Sequence, residues 1–322
     1  MFNAIIIAIM AGLASALLAA AAASGVGIGL IFAIIAPLPL MIVAIGWNPL
    51  LAVLGGALTS AALILLFRGS TGVVFGFLVT LPAFLAGFVL WRNSNARAEQ
   101  SAPTLQSRDL IGLLCLGAAL YAAAITLIGA LSVSFDYATL QQHLLRQSEL
   151  VYRFMMGLAA DTPLPQVGGQ SAQVFINAYA EAVGPLTAAM LALIYIINIW
   201  LASKIVVKSN RLPVAWEPVA TMRLPKFLLP VLVVSLLGGM LPGYLGFTLE
   251  LVGFATAIAV AALGYAAVHD VTTGTSARFL ILTVLWTLTI IFGIPALVML
   301  AAGIAEIAFG WREKVIARRN LQ

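Results

Sequence analysis

Few side chains in this chain of 322 residues have the types and spacing for chemistry, and they lie far apart. There are two histidines and one cysteine. Three such residues cannot build a Cys/His zinc site. No H-E-x-x-H helix, G-x-x-x-x-G-K-[ST] phosphate loop or G-x-S-x-G nucleophile elbow is present. The stretch "GVGIG" at 25–29 copies part of a dinucleotide fingerprint, without the preceding strand or the spacing. His269 beside Asp270 pairs a base with an acid. The pair falls at the end of an apolar run, where a histidine also suits the negative end of a helix dipole. A structural or interfacial role is the preferred reading there. No metal or cofactor is expected, and the chain reads as non-enzymatic.

The remaining polar groups stand inside apolar runs, where each is costly and marks a place to look. Glu250 is the leading candidate for a ligand contact or a proton site, with a neutralised or interfacial carboxyl as the alternative. Glu306 lies near the end of the last run. Glu181 and Lys204 bracket another, and Lys204 can snorkel. Tyr195 and Asn198, about one turn apart, can present polar groups to a cavity; Asn198 can equally bond across helices. Pro37 and Pro39 in "IAPLPLMIVAIGW" each remove a backbone donor and are expected to interrupt a helix. The carbonyls they free need protein or water as partners. Transporters build binding sites at such breaks, although Pro and Gly are also common in membrane helices generally. Pro82, "LPG" at 241–243 and "GIP" at 293–295 are further interruptions. The ligand-contact candidates are thus Pro37, Pro39, Tyr195, Asn198 and Glu250.

These residues need a scaffold, and composition names its class. The chain is 63% hydrophobic and only 8% charged, with mean hydropathy +1.11. A soluble domain carries roughly a quarter charged residues. Apolar runs of about 20 residues recur, each long enough for a hydrocarbon core of about 30 Å. The expected fold is an all-α, polytopic transmembrane bundle of about ten spans, between eight and ten. They fall near 3–24, 27–45, 48–67, 71–91, 109–131, 183–206, 226–242, 245–268, 277–293 and 295–310. The lipid bilayer is the first partner. The net charge of +5 is not a nucleic-acid signature, because no basic stripe with interleaved aromatics exists. Cys115, in an apolar run, reads as a buried inert thiol.

Lysines and arginines set orientation in membranes. Ten spans with a cytoplasmic N-terminus leave only Arg68, Arg146 and Arg153 outside, so 13 of the 16 basic residues lie inside. Fusing the last two spans turns that split into 9 against 7. The bias therefore favours two cytoplasmic termini. Residues 1–91 form an N-terminal four-span block and 109–310 a C-terminal block, within one membrane domain. Between spans five and six, the segment 132–182 lies outside. Tyr137, Leu140, Leu144, Val151, Met155 and Leu158 recur there at helical spacing, opposite Gln141, Gln142, Arg146, Glu149 and Arg153. That pattern is an amphipathic interfacial helix: a cover for loops or a lid over a cavity. The inner segment 207–226, with three prolines, is too irregular to cross lipid; Trp216 suits the headgroup level.

The first run, "AIIIAIMAGLASALLAAAAASGVGIG", lacks the basic start of a secretory signal and reads as a retained helix. Ala4, Ala8, Gly12, Ala16, Ala20 and Ser24 form a small-residue stripe, opposite Ile6, Ile9, Leu13 and Leu17. Such stripes let helix backbones approach closely in lipid. The docked helix belongs either to this chain or to a membrane-protein partner.

Several short stretches carry a family resemblance. They are "APLPL" at 36–40, "MRLPKFLLP" at 222–230, "LGYAAVHD" at 263–270 and the closing "GIAEIAFGWRE" at 303–313. With these the chain resembles the YybS-like bacterial membrane proteins of unknown function. Their closing motif is a Gly, an acid, a Phe and an Arg after an aromatic residue. Gly303, Glu306, Phe309 and Arg312 match it, with Glu where Asp is commoner. That family is distantly similar to the substrate-capture subunits of energy-coupling-factor vitamin transporters and to the rod-shape protein MreD. The capture subunits dock their membrane partner through small-residue stripes, one on the first span. The resemblance implies a bacterial inner-membrane protein of uncharacterised role. From the residues, the expectation is a small-ligand binding protein, a transporter or its capture subunit; the alternative is a scaffold that works by helix docking.

Overall fold

The computed structural model describes residues 2–22, 27–67, 69–99, 105–167, 170–211 and 219–319. Long apolar runs have one low-energy form in lipid, because a helix satisfies its own backbone. The chain accordingly folds as a helical bundle. Its elements are α1 (Phe2–Ala22), α2 (Gly27–Ile35), α3 (Leu38–Gly46) and α4 (Pro49–Phe67), then α5 (Thr71–Phe75), a π turn (Gly76–Thr80) and α6 (Leu81–Glu99). After them come α7 (Ser107–Val133), α8 (Tyr137–Met156), α9 (Ala172–Lys208), α10 (Leu228–Gly238) and α11 (Gly243–Val271). The last are α12 (Arg278–Phe292), α13 (Ile294–Phe309) and α14 (Trp311–Arg319). Among the described residues, the extended pairing is one two-residue ladder, Gln166–Val167 with Gln170–Ser171.

Every expected span has a helix, but six helices are long and apolar enough to cross a membrane alone, or seven if α13 and α14 count as one bent span. The expected ten is therefore not reached by length. The shortfall lies in the broken pair α2–α3 and in α10 and α12. The latter two, of 11 and 15 residues, reach only about 16 and 22 Å. The "GIP" break is a true reversal. Gly293 adopts φ 68°, closed to most L side chains, as C-cap of α12 and N-cap of α13. The chain returns beside the end of α11, where Arg312 meets Asp270 at 3.7 Å and Arg319 donates to Val271 O at 3.0 Å.

The first-span stripe docks within its own chain. A Cβ on Gly12 would meet Gly55 O and Thr59 Oγ1 at 2.5 Å; one on Gly55 would meet Ala8 O at 2.1 Å. Ala8, Gly12 and Ala16 are buried. Ala4 is half-buried and Ala20 exposed, so the stripe is used over its middle only. Ser24 lies outside the described residues. Ile6, Ile9, Leu13 and Leu17 face outward. The same principle joins α3 to α6 through Ala44 and Gly87, and α11 to α13 through Val260, Gly264, Met299 and Gly303. One buried apolar cluster runs through α1, α3, α4, α6, α7, α9 and α11.

The amphipathic segment is the helix α8. Its N-cap Asp136 accepts from Thr139 N at 3.0 Å. That bond and the one from Thr139 Oγ1 hold the Asp136 carboxyl below its ordinary range. Gly157, at φ 65°, ends the helix. Leu140 is buried and Tyr137 and Leu144 pack on the core, whereas Val151 and Met155 are exposed. Within α8 only the first half of the expected apolar face is used, and Leu158, half-buried, lies beyond the helix end at Met156. Tyr137 stacks edge-on against Tyr244, 5.3 Å between centroids.

Candidate functional site

Two helix breaks leave backbone carbonyls without their helical donors, and side chains of α9 reach both. At the first, α2 ends at Ile35 and α3 starts at Leu38, with Pro37 buried as its N-cap and Pro39 in its first turn. Asn198 Nδ2 donates to Ile34 O at 2.6 Å across this break, and to Ile194 O of its own helix at 2.7 Å. Asn198 is fully buried, and its Oδ1 has no partner among the described residues. The residue thus takes the cross-helix role.

The second break is the π turn before Pro82. Leu81 N–H donates five residues back, to Gly76 O. Phe77 O therefore loses the donor an α-helix supplies. Pro82 has no N–H and serves neither Phe77 O in the π register nor Leu78 O in the α register. Two tyrosines make good the deficit. Tyr121 Oη on α7 donates to Phe77 O at 2.5 Å. Tyr195 Oη on α9 donates to Leu78 O at 3.2 Å. Their rings lie 5.7 Å apart.

Beside this pair is a crevice of about 200 Å³. It is lined by Met41 of α3, Pro82, Leu85, Ala86 and Val89 of α6, Leu113, Leu114, Gly117, Ala118 and Tyr121 of α7, and Tyr195 and Ile199 of α9. No lining residue is ionisable apart from the tyrosines. Leu85, Leu113 and Gly117 are exposed at its edge. A Cβ on Gly117 would meet nothing within 4 Å. An apolar lining with a few convergent polar groups is the usual chemistry of a small-molecule site, and at about 200 Å³ the crevice is smaller than the usual about 300–1,000 Å³.

The five ligand-contact candidates are thus divided. Tyr195 lines the crevice. Asn198, Pro37 and Pro39 belong to the neighbouring break and support it. Glu250 is elsewhere: it is half-buried on α11, and its Cγ would lie 2.9 Å from a Cβ placed on Gly239 in the α10–α11 turn. Burial of the ring, and after it the charge of Glu250, push the Tyr137 hydroxyl above its ordinary range. Sequence reasoning missed Tyr121, Gly117 and Met41. Tyr121 carried a readable signal, a phenol in the middle of an apolar run whose hydroxyl needs a partner.

The closing-motif residues form a joint at the opposite end of the bundle from α8. Arg312 is 3% exposed. Its Nε lies 3.1 Å from Glu306 Oε1, its Nη1 donates to Ala220 O at 2.6 Å and its Nη2 to Met222 O at 3.1 Å. Glu306 Oε2 accepts from the Arg312 N–H at 2.9 Å. Arg223 pairs with Glu313. Through these contacts the guanidinium holds α13, α14, α11 and residues 220–222 together. Gly303 gives the α11–α13 contact, and Phe309 is exposed. His269 accepts from Trp286 Nε1 at 3.2 Å, and Tyr265 stacks on Trp286 at 4.7 Å. These contacts tie α11 to α12. Cys115 is buried. Trp216 and its neighbours 212–218 lie outside the described residues.

Comparison of the chain with protein-family models, with curated proteins and with solved structures finds no match.

Proposed function

We propose that this is a bacterial inner-membrane protein that binds a small ligand within its helix bundle, as a transporter or the capture subunit of one, and that it is not an enzyme. The observation that carries the reading is the crevice at the π turn, where two tyrosines, a proline break and a gap at Gly117 converge. Charge supports the orientation. Apart from Arg146 and Arg153, the described lysines and arginines belong to segments gathered at the end of the bundle that holds Arg108, Arg211, Arg223 and Arg312. That end is the cytoplasmic one by the positive-inside rule. Kinship with the YybS-like proteins is part of the proposal; in its favour, Gly303, Glu306 and Arg312 each have a definite task. The competing scaffold reading draws on the first-span stripe and the 207–226 segment; the middle of that stripe, Ala8 and Gly12, is taken up by α4 within the chain, and residues 212–218 lie outside the described residues.

Native mass spectrometry of the purified protein tests the proposal. A co-purifying small molecule, lost on substituting Gly117→Leu, is the expected result. A stoichiometric protein partner with no small molecule overturns it.

A further inference from the structure

We infer that the crevice takes the alkyl chain of a bilayer lipid, entering sideways between α6 and α7 with the headgroup left outside. The inference rests on the reading of the crevice as the ligand site and names the ligand class. Three observations carry it. The first is the mouth: Leu85, Leu113 and Gly117 are exposed on the side of a membrane-embedded bundle. Gly117 also lines the crevice, and a Cβ on it would enter open space, which puts its position at the lipid-facing mouth between α6 and α7.

The second is the chemistry of the wall. Both tyrosine protons are committed, Tyr121 to Phe77 O and Tyr195 to Leu78 O. Their oxygens are left as acceptors only. No lysine, arginine, histidine or carboxylate lines the space. A phosphate or carboxylate would find no donor there, and a cation no counter-charge, so burying a lipid headgroup is strongly unfavourable. A hydrocarbon chain needs nothing the wall lacks.

The third is depth. Helix α7 starts at Ser107, at the basic end of the bundle. Leu113 is thus about 9 Å along the helix and Tyr121 about 21 Å. The crevice runs from a level just below the headgroups to mid-membrane. A chain from the leaflet at the basic end fits that path, its methyl end against the tyrosine pair.

The experiment is photolabelling in lipid nanodiscs. The probe is a phosphatidylcholine with a diazirine near the end of one acyl chain. The expected result is labelling concentrated on 117–121 and 195–199, falling about tenfold in Gly117→Leu and about threefold in Gly117→Ala. The alanine variant keeps the test open if the leucine variant does not fold. Gly129→Leu, on the exposed surface of the same helix with nothing near its would-be Cβ, leaves the labelling unchanged. Labelling spread evenly over the lipid-facing residues of α1, α7 and α12, indifferent to Gly117, reports annular lipid and overturns the inference. A water-soluble molecule found by native mass spectrometry, with no crevice labelling by the probe, also overturns it and leaves the broader ligand-binding proposal standing. Absence of both a bound molecule and crevice labelling removes the two together.

Discussion

Tyr195 and Asn198 show how much one helical turn of α9 decides. Their polar ends reach carbonyls on two other elements, Leu78 O and Ile34 O. An unpaired carbonyl in a dry interior costs about 1–3 kcal/mol, and hydrogen bonds between membrane helices are worth about 0.6 kcal/mol on average and up to about 1.7. Substituting Asn198→Leu keeps the branching of the side chain and removes the donor. It is expected to destabilise the protein by about 1–2 kcal/mol, lowering the thermal midpoint in detergent by about 1.5–3 °C. An unchanged midpoint would show that the α2–α3 break does not need its amide donor. The residue types were legible in the sequence, as were the breaks. The pairing was not, because Ile34 and Asn198 are 164 positions apart and only folding brings them together.

Among the elements, the α1–α4 contact is the closest test of small-residue packing. Gly55 lies so near Ala8 O that any side chain must push the helices apart. Gly55→Leu is expected to cost about 3 kcal/mol or more, seen as loss of monodisperse protein on size exclusion. Ala20→Leu, on the same expected stripe but exposed, is expected to leave yield and elution unaltered. Equal damage from the two would mean that the whole stripe, Ala20 included, is docked. The spacing of small residues identified the face, and periodicity cannot say how much of a face a neighbour covers. Here the crossing with α4 centres on Ala8 and Gly12 and does not extend to Ala20. In α8 the same limit applies: the repeat from Tyr137 to Leu158 is continuous, whereas packing on the core uses Tyr137, Leu140 and Leu144.

At the scale of the whole molecule, the reversal at Gly293 puts α14 with Asp270, Ala220 and Met222 at the basic end. Reporter fusions give the check. A fusion after Gln322 is expected to report the cytoplasm, and one between Gly157 and Gln166 the opposite side; a C-terminal reporter outside would overturn the assigned orientation. What the sequence determined by itself was the solvent and the rough list of elements. Hydropathy and proline position act locally, through lipid transfer and missing N–H groups, and both can be read along one chain. Tertiary structure alone decided which helix fills the Ala8–Gly12 groove, which side chains satisfy the broken backbones, and that Glu250 lies away from the crevice while Tyr121 lines it. Those outcomes depend on distances between residues remote in the chain, and hydrophobic patterning carries no term for them.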